Sequence, residues 1–157
     1  NTRNIFLWHR ATNDGRIKPD VTAPGCQSDD DFGVTSTTPG GGYSSYCGTS
    51  MASPTVAGIS ALIIQDWRQQ FPDRGEIRNS TLKALLANSG DDLGNPGPDC
   101  MYGFGTVRAR QAIDALRDDS VIENEVADGE IAEHLVIVQP GDSELRITLA
   151  WDDAPAS

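Results

Sequence analysis

The residue of this chain best placed to do chemistry is Ser50, inside the run "GGYSSYCGTSMASPTVAGISALI". A glycine-rich turn leads into the serine, and the serine leads into a long apolar segment built mostly of small residues. A hydroxyl is a poor nucleophile until a base takes its proton and donors receive the oxyanion. The start of a helix meets part of the second need, because its first turn carries unpaired N–H groups and a partial positive charge. Gly48 lets the backbone approach a substrate closely. A plainer reading stands beside this one: Ser50 is the N-cap of the helix.

The elements that must position Ser50 are legible from periodicity. From Ser50 to about Phe71, Val56, Ile59, Ile63 and Trp67 form one helical stripe. Ala52, Ala57, Gly58, Ser60 and Ala61 occupy the other faces, which predicts a first half buried on every side and a helix that emerges at "QDWRQQ". Pro54 is expected in the first turn, where its missing N–H costs little. Upstream, "KPDVTAPG" (residues 18–25) predicts a brief strand ending in a turn, and the Ser, Thr and Gly-rich run that follows predicts a surface loop with a ragged hairpin.

A second helix is predicted from about Glu76 to Asn88, with Ile77, Leu82, Leu85 and Leu86 inward. A third lies in "TVRARQAIDALRDD", with Val107, Ala112, Ile113 and Leu116 inward. Past the acidic stretch "RDDSVIENEVADGE" the period changes to two. Leu145, Ile147, Leu149 and Trp151 alternate with Arg146, Thr148 and Ala150, which predicts a half-buried strand with "HLVIV" as its hairpin partner. The chain therefore divides near residue 120 into an α/β part and an all-β part.

The 157 residues carry 23 acids against 12 bases, a formal charge of −11. That sign argues against nucleic-acid partners and anionic membrane surfaces. The longest apolar run, "AGISALII", is too short to span a membrane. "NTRNIFLWHR" lacks the apolar core and cleavage site of a signal peptide, and the chain does not start with Met, so a piece of something longer is expected. Cys26 and Cys47 either close a loop, worth roughly 3 kcal/mol, or are two small buried thiols. Cys100 is left over, and the cysteine spacings match no zinc pattern. Asp29, Asp30 and Asp31 offer calcium-type oxygens without EF-hand spacing, and they read better as a solvated acidic loop.

"GTSMASPTVAG" resembles the serine motif of the subtilisin-like serine proteases, the subtilases. "DGRIKPDVTAPG" resembles the segment before that motif, and "YGFGTVRARQAI" the family's closing turn and last helix. In order and spacing the three cover roughly residues 12 to 117. The resemblance implies an α/β fold with a parallel sheet flanked by helices, of which residues 1–119 would be the C-terminal portion. "LRITLAWDDAPAS" resembles, more weakly, the β-sandwich that some large secreted subtilases carry after the protease domain. Residues 120–157 would then be the incomplete start of such a jelly-roll-like domain.

The same resemblance implies that Ser50 attacks a peptide carbonyl and that its own N–H donates to the oxyanion. Thr49 would support that site, Met51 would be the oxidation-sensitive neighbour, and Pro54 and Gly58 would be structural. The family's order is Asp, His, Ser. Only 49 residues precede Ser50, and nothing in them matches the Asp, the His or the oxyanion Asn. These groups are expected upstream, and the chain alone is expected to be inactive. "FLWHR" departs from the family's small-residue approach, so His9 is not expected to be the base. His134 is a weaker candidate still, and Asp20 is expected to order its turn.

The chemistry implied needs no cofactor; a structural calcium ion is left open. Expected partners are protein or peptide substrates, with no nucleic acid and a monomeric complete form in an extracellular setting. Two other readings remain: an inert scaffold or binding fragment, and an α/β-hydrolase esterase. The esterase suits "GTSMA" poorly, since Ala replaces the last Gly of G-x-S-x-G and the approach to Ser50 is polar. A phosphate loop is excluded because its lysine is missing.

Overall fold

The computed structural model describes residues 16–26 and 33–152. Five elements follow in order: β1 (Val34–Thr38), β2 (Gly42–Tyr46), α1 (Thr49–Gln70), α2 (Asn79–Asn88) and α3 (Ala109–Arg117). The first two form an antiparallel hairpin in register Val34↔Tyr46 to Thr38↔Gly42. The three helices pack around one cluster: Ile63 and Trp67 from α1, Leu85 and Leu86 from α2, Ala112 and Leu116 from α3, with Ala23 and Val107 from the loops. Val56, Ile59, Ile77, Leu82 and Ile113 lie against it, partly buried. These are the apolar stripes expected from the sequence, and burying each large one fully contributes about 1.5–3 kcal/mol.

Trp67 is the centre of this cluster. It is fully buried, its Nε1–H donates to the Gly75 carbonyl at 2.9 Å, and its ring lies 4.8 Å from that of Phe71. One residue earlier the buried Asp66 accepts two donors of Arg117, the closest at 2.6 Å. A carboxylate is costly to bury unless it is paired and hydrogen-bonded. The guanidinium meets that need and pins the end of α3 to α1.

Four expectations differ from the structure. The first half of α1 is not enclosed: Ala57, Gly58, Ala61 and Leu62 are exposed, whereas "QDWRQQ" holds the buried Asp66 and Trp67. The reason is where α2 and α3 lie. Among the described residues they cover one side of α1, toward its C-terminal half, and no layer covers the small-residue faces. Pro54 is not in the first turn, because the helix starts at Thr49. It sits in the second, where its missing N–H leaves the Ser50 carbonyl without its helical donor.

The expected strand at residues 18–25 is a single parallel bridge, Thr22↔Thr106, and among the described residues the only sheet is the β1–β2 hairpin. The strands expected near 134–138 and 145–151 run without ladder pairing. Leu135 is 90% exposed and Leu149 79%. Two strands with nothing to bury their apolar side against gain too little to pair stably.

Candidate active site

Ser50 is the second residue of α1, and the N-cap is Gly48. That removes the plain N-cap reading of the serine. Gly48 has φ 152°, a region that side chains rarely adopt, and offers no side chain to cap the helix. The first turn also contains no acid. The amides at this end are therefore not taken by a capping side chain, and the helix leaves its positive pole open beside Ser50. Met51 N–H donates to the Gly48 carbonyl at 3.0 Å, which closes the turn under the serine. Ser50 and Thr49 are both exposed.

The turn is fixed by a seam with the segment before it. Gly48 N–H donates to the Gly25 carbonyl at 2.8 Å, and Cys26 and Cys47 form a disulfide with their Cα atoms 4.6 Å apart. A Cβ on Gly25 would stand 2.6 Å from the Gly48 oxygen and 3.3 Å from the Ala52 Cβ. Behind this seam the backbone is held again. Thr22 N–H donates to Gly105 O at 2.9 Å, Val107 N–H to Thr22 O at 2.9 Å, and Asp91 and Thr106 exchange bonds of 3.0 and 2.9 Å. The closing-turn motif thus carries the segment that carries the turn that carries Ser50.

Gly25→Ala should break this order. The added methyl forces Gly48 away from Gly25, and a displacement near 1 Å at a reacting group can cost about a hundredfold in rate. With Ser50 as the nucleophile proposed below, a fall of roughly that size in the catalytic rate of the complete protein is the expected result, read by steady-state kinetics; an unchanged rate would mean that the seam does not position the serine.

The remaining candidates lie elsewhere. The Asp20 carboxylate is paired with Lys18 and lies 3.1 Å from the Lys83 ammonium. Burial pushes it up, but hydrogen bonds and charge from both lysines outweigh that and hold it below the ordinary aspartate value. It orders its own turn and ties it to α2. His134 is exposed in the extended run after α3, and Cys100 is an exposed free thiol. His9 and Asp29, Asp30 and Asp31 lie outside the described residues. Among the described residues no cluster of three or more His, Cys, Asp or Glu is placed to hold a metal ion, and no helix is long and apolar enough to cross a membrane. The role of Gly25 was missed in the sequence; the "APG" ahead of a cysteine was its only visible signal.

The profile of the subtilase family, peptidase S8, matches residues 6–105, and the chain belongs to that family. Alkaline elastase YaB of Bacillus sp. (strain YaB) is 39% identical over 93 residues, which cover 59% of this chain and 20% of that protein. The C5a peptidase of Streptococcus pyogenes is 40% identical over 107 residues, 64% of this chain and 9% of that one. The structure of the Clostridium perfringens CspB protease superposes with a TM-score of 0.59 at 27% identity, covering 69% of this chain and 22% of that chain. The chain thus spans a fifth or less of the length of these curated relatives.

Proposed function

We propose that this chain supplies the nucleophile of a serine endopeptidase that cleaves protein substrates through an acyl-enzyme. The observation that carries the reading is the setting of Ser50: an exposed hydroxyl at the uncapped start of α1, on a turn fixed by the Gly25–Gly48 bond. In this reading Ser50 Oγ attacks the peptide carbonyl, and the proton passes to a histidine that an aspartate orients. The tetrahedral oxygen then meets the Ser50 N–H at the positive end of the helix. Thr49 flanks that oxygen. The histidine and aspartate come from the part of the polypeptide ahead of this sequence, and residues 1–119 are the C-terminal portion of the catalytic domain. The Cys26–Cys47 disulfide supports an extracellular setting, where such bonds persist.

A fluorophosphonate probe tests the reading, because it reacts only with a serine whose proton has somewhere to go. Labelling the complete protein, followed by mass spectrometry of the modified peptide, should place the adduct on Ser50. The 157-residue chain alone should remain unlabelled. An adduct on a different serine, or none in the complete protein, would sink the proposal. Labelling of the short chain would make a group within it the base.

A further inference from the structure

α2 lacks the groups that usually finish a helix. It has no acid in its first turn, no base in its last turn and no capping side chain at Arg78. Its ten residues are too few to hold a helix by propensity alone. The missing groups are present, but they come from a segment about sixty residues further on. Arg146 Nη1 donates to the Asn88 carbonyl at 3.1 Å and to the Gly90 carbonyl at 2.8 Å. Asp152 Oδ2 accepts the Ser80 N–H at 3.3 Å. A cation thus sits on the carbonyl pole and an anion on the amide pole, the signs that the helix dipole favours.

Between the poles, Asn88 Nδ2 donates to Arg146 O at 3.2 Å and to Thr148 Oγ1 at 3.0 Å. Glu123 adds a second anion at the amide pole. It accepts the Thr81 hydroxyl and lies 3.8 Å from Arg78, which also pairs with Glu125 at 2.8 Å. The segment runs antiparallel to α2, and its even-numbered residues Arg146, Thr148 and Asp152 make the contacts. This reverses the side expected to face inward: Leu145, Ile147 and Leu149 point to solvent.

We propose that residues 144–152 are an intramolecular strap that caps α2 at both poles, so that the helix is closed when the strap is seated and opens when it is released. The strap reaches further than α2. Gly90, which Arg146 holds, precedes Asp91, whose backbone pairs with Thr106, and Thr106 bridges Thr22 in the segment behind the serine turn. This role does not depend on the hydrolytic chemistry. It makes the extension a fixed part of the catalytic portion instead of a module on a free tether.

Hydrogen–deuterium exchange of the protein, read by mass spectrometry, tests the proposal. Arg146→Ala should speed exchange of the amides in 79–91 by roughly five- to tenfold, the range expected for a lost helix cap. Asp152→Asn should do so by about two- to threefold at the first turn only. Raising the salt concentration to about 0.5 M should weaken the wild-type protection in the same direction. Peptides from α1 should not change in either variant. If Arg146→Ala proves unstable throughout, Asp152→Asn, a surface change, decides the matter alone. Unchanged exchange in 79–91 in the readable variants, or equal acceleration in all helices, would overturn the strap.

Discussion

Replacing Ser50 with alanine in the complete protein is expected to lower peptide hydrolysis about a millionfold, the scale of loss when the serine of such a triad is removed. The expected cost to folding is near zero. The hydroxyl is exposed, and alanine is the better helix former at a helical position. The pair of outcomes matters more than either alone. Lost activity with an unchanged melting temperature assigns the chemistry to the oxygen. Lost activity with a collapsed melting temperature would assign the serine a structural part, and activity within tenfold of wild type would refute the nucleophile.

The largest effect on stability is expected at Trp67. Trp67→Ala removes a fully buried ring, its contact with Phe71 and the donor to the Gly75 carbonyl. Truncating a core aromatic costs about 3–5 kcal/mol, and the loss of a hydrogen bond about 1 kcal/mol more. In a protein of this size that lowers the melting temperature by roughly 10 °C or more, and by less in a longer chain. Trp67→Phe keeps most of the volume and loses the donor, so it should recover more than half of the difference. Calorimetry of the three proteins separates the two contributions. A drop below about 1 kcal/mol for the alanine variant would mean that the cluster is not the core.

The helices were legible because apolar residues repeat with the helical period. Ile63, Trp67, Leu85, Leu86, Ala112 and Leu116 are buried where that period places them. What the period does not carry is the neighbour. It marked α1 as apolar all round in its first half, but burial depends on which elements stand beside it, and α2 and α3 stand at the other half. The alternation after residue 144 was visible too, yet its inward side was misjudged. Hydrophobicity favoured Leu145, Ile147 and Leu149, whereas the contacts are set by charges meeting the poles of a helix some sixty residues away.

The serine itself was visible because its motif is contiguous. The seam beneath it was not, because one-residue bridges such as Thr22↔Thr106 and Asp91↔Thr106 leave no repeat to detect. Gly25 and Gly48 look like ordinary turn glycines until their backbones are found 2.8 Å apart.

The Cys26–Cys47 bond encloses the β1–β2 hairpin, which is mostly exposed. On the proposed function the protein is surrounded by copies of itself that cut peptide bonds, and an exposed loop is where they would cut. Because the cysteines lie outside the hairpin, a single cut within it separates no part of the molecule. The two ends stay joined at the seam beside Gly25 and Gly48, and the serine turn keeps its footing. Such a nick would pass unnoticed until a reducing agent divided the chain in two.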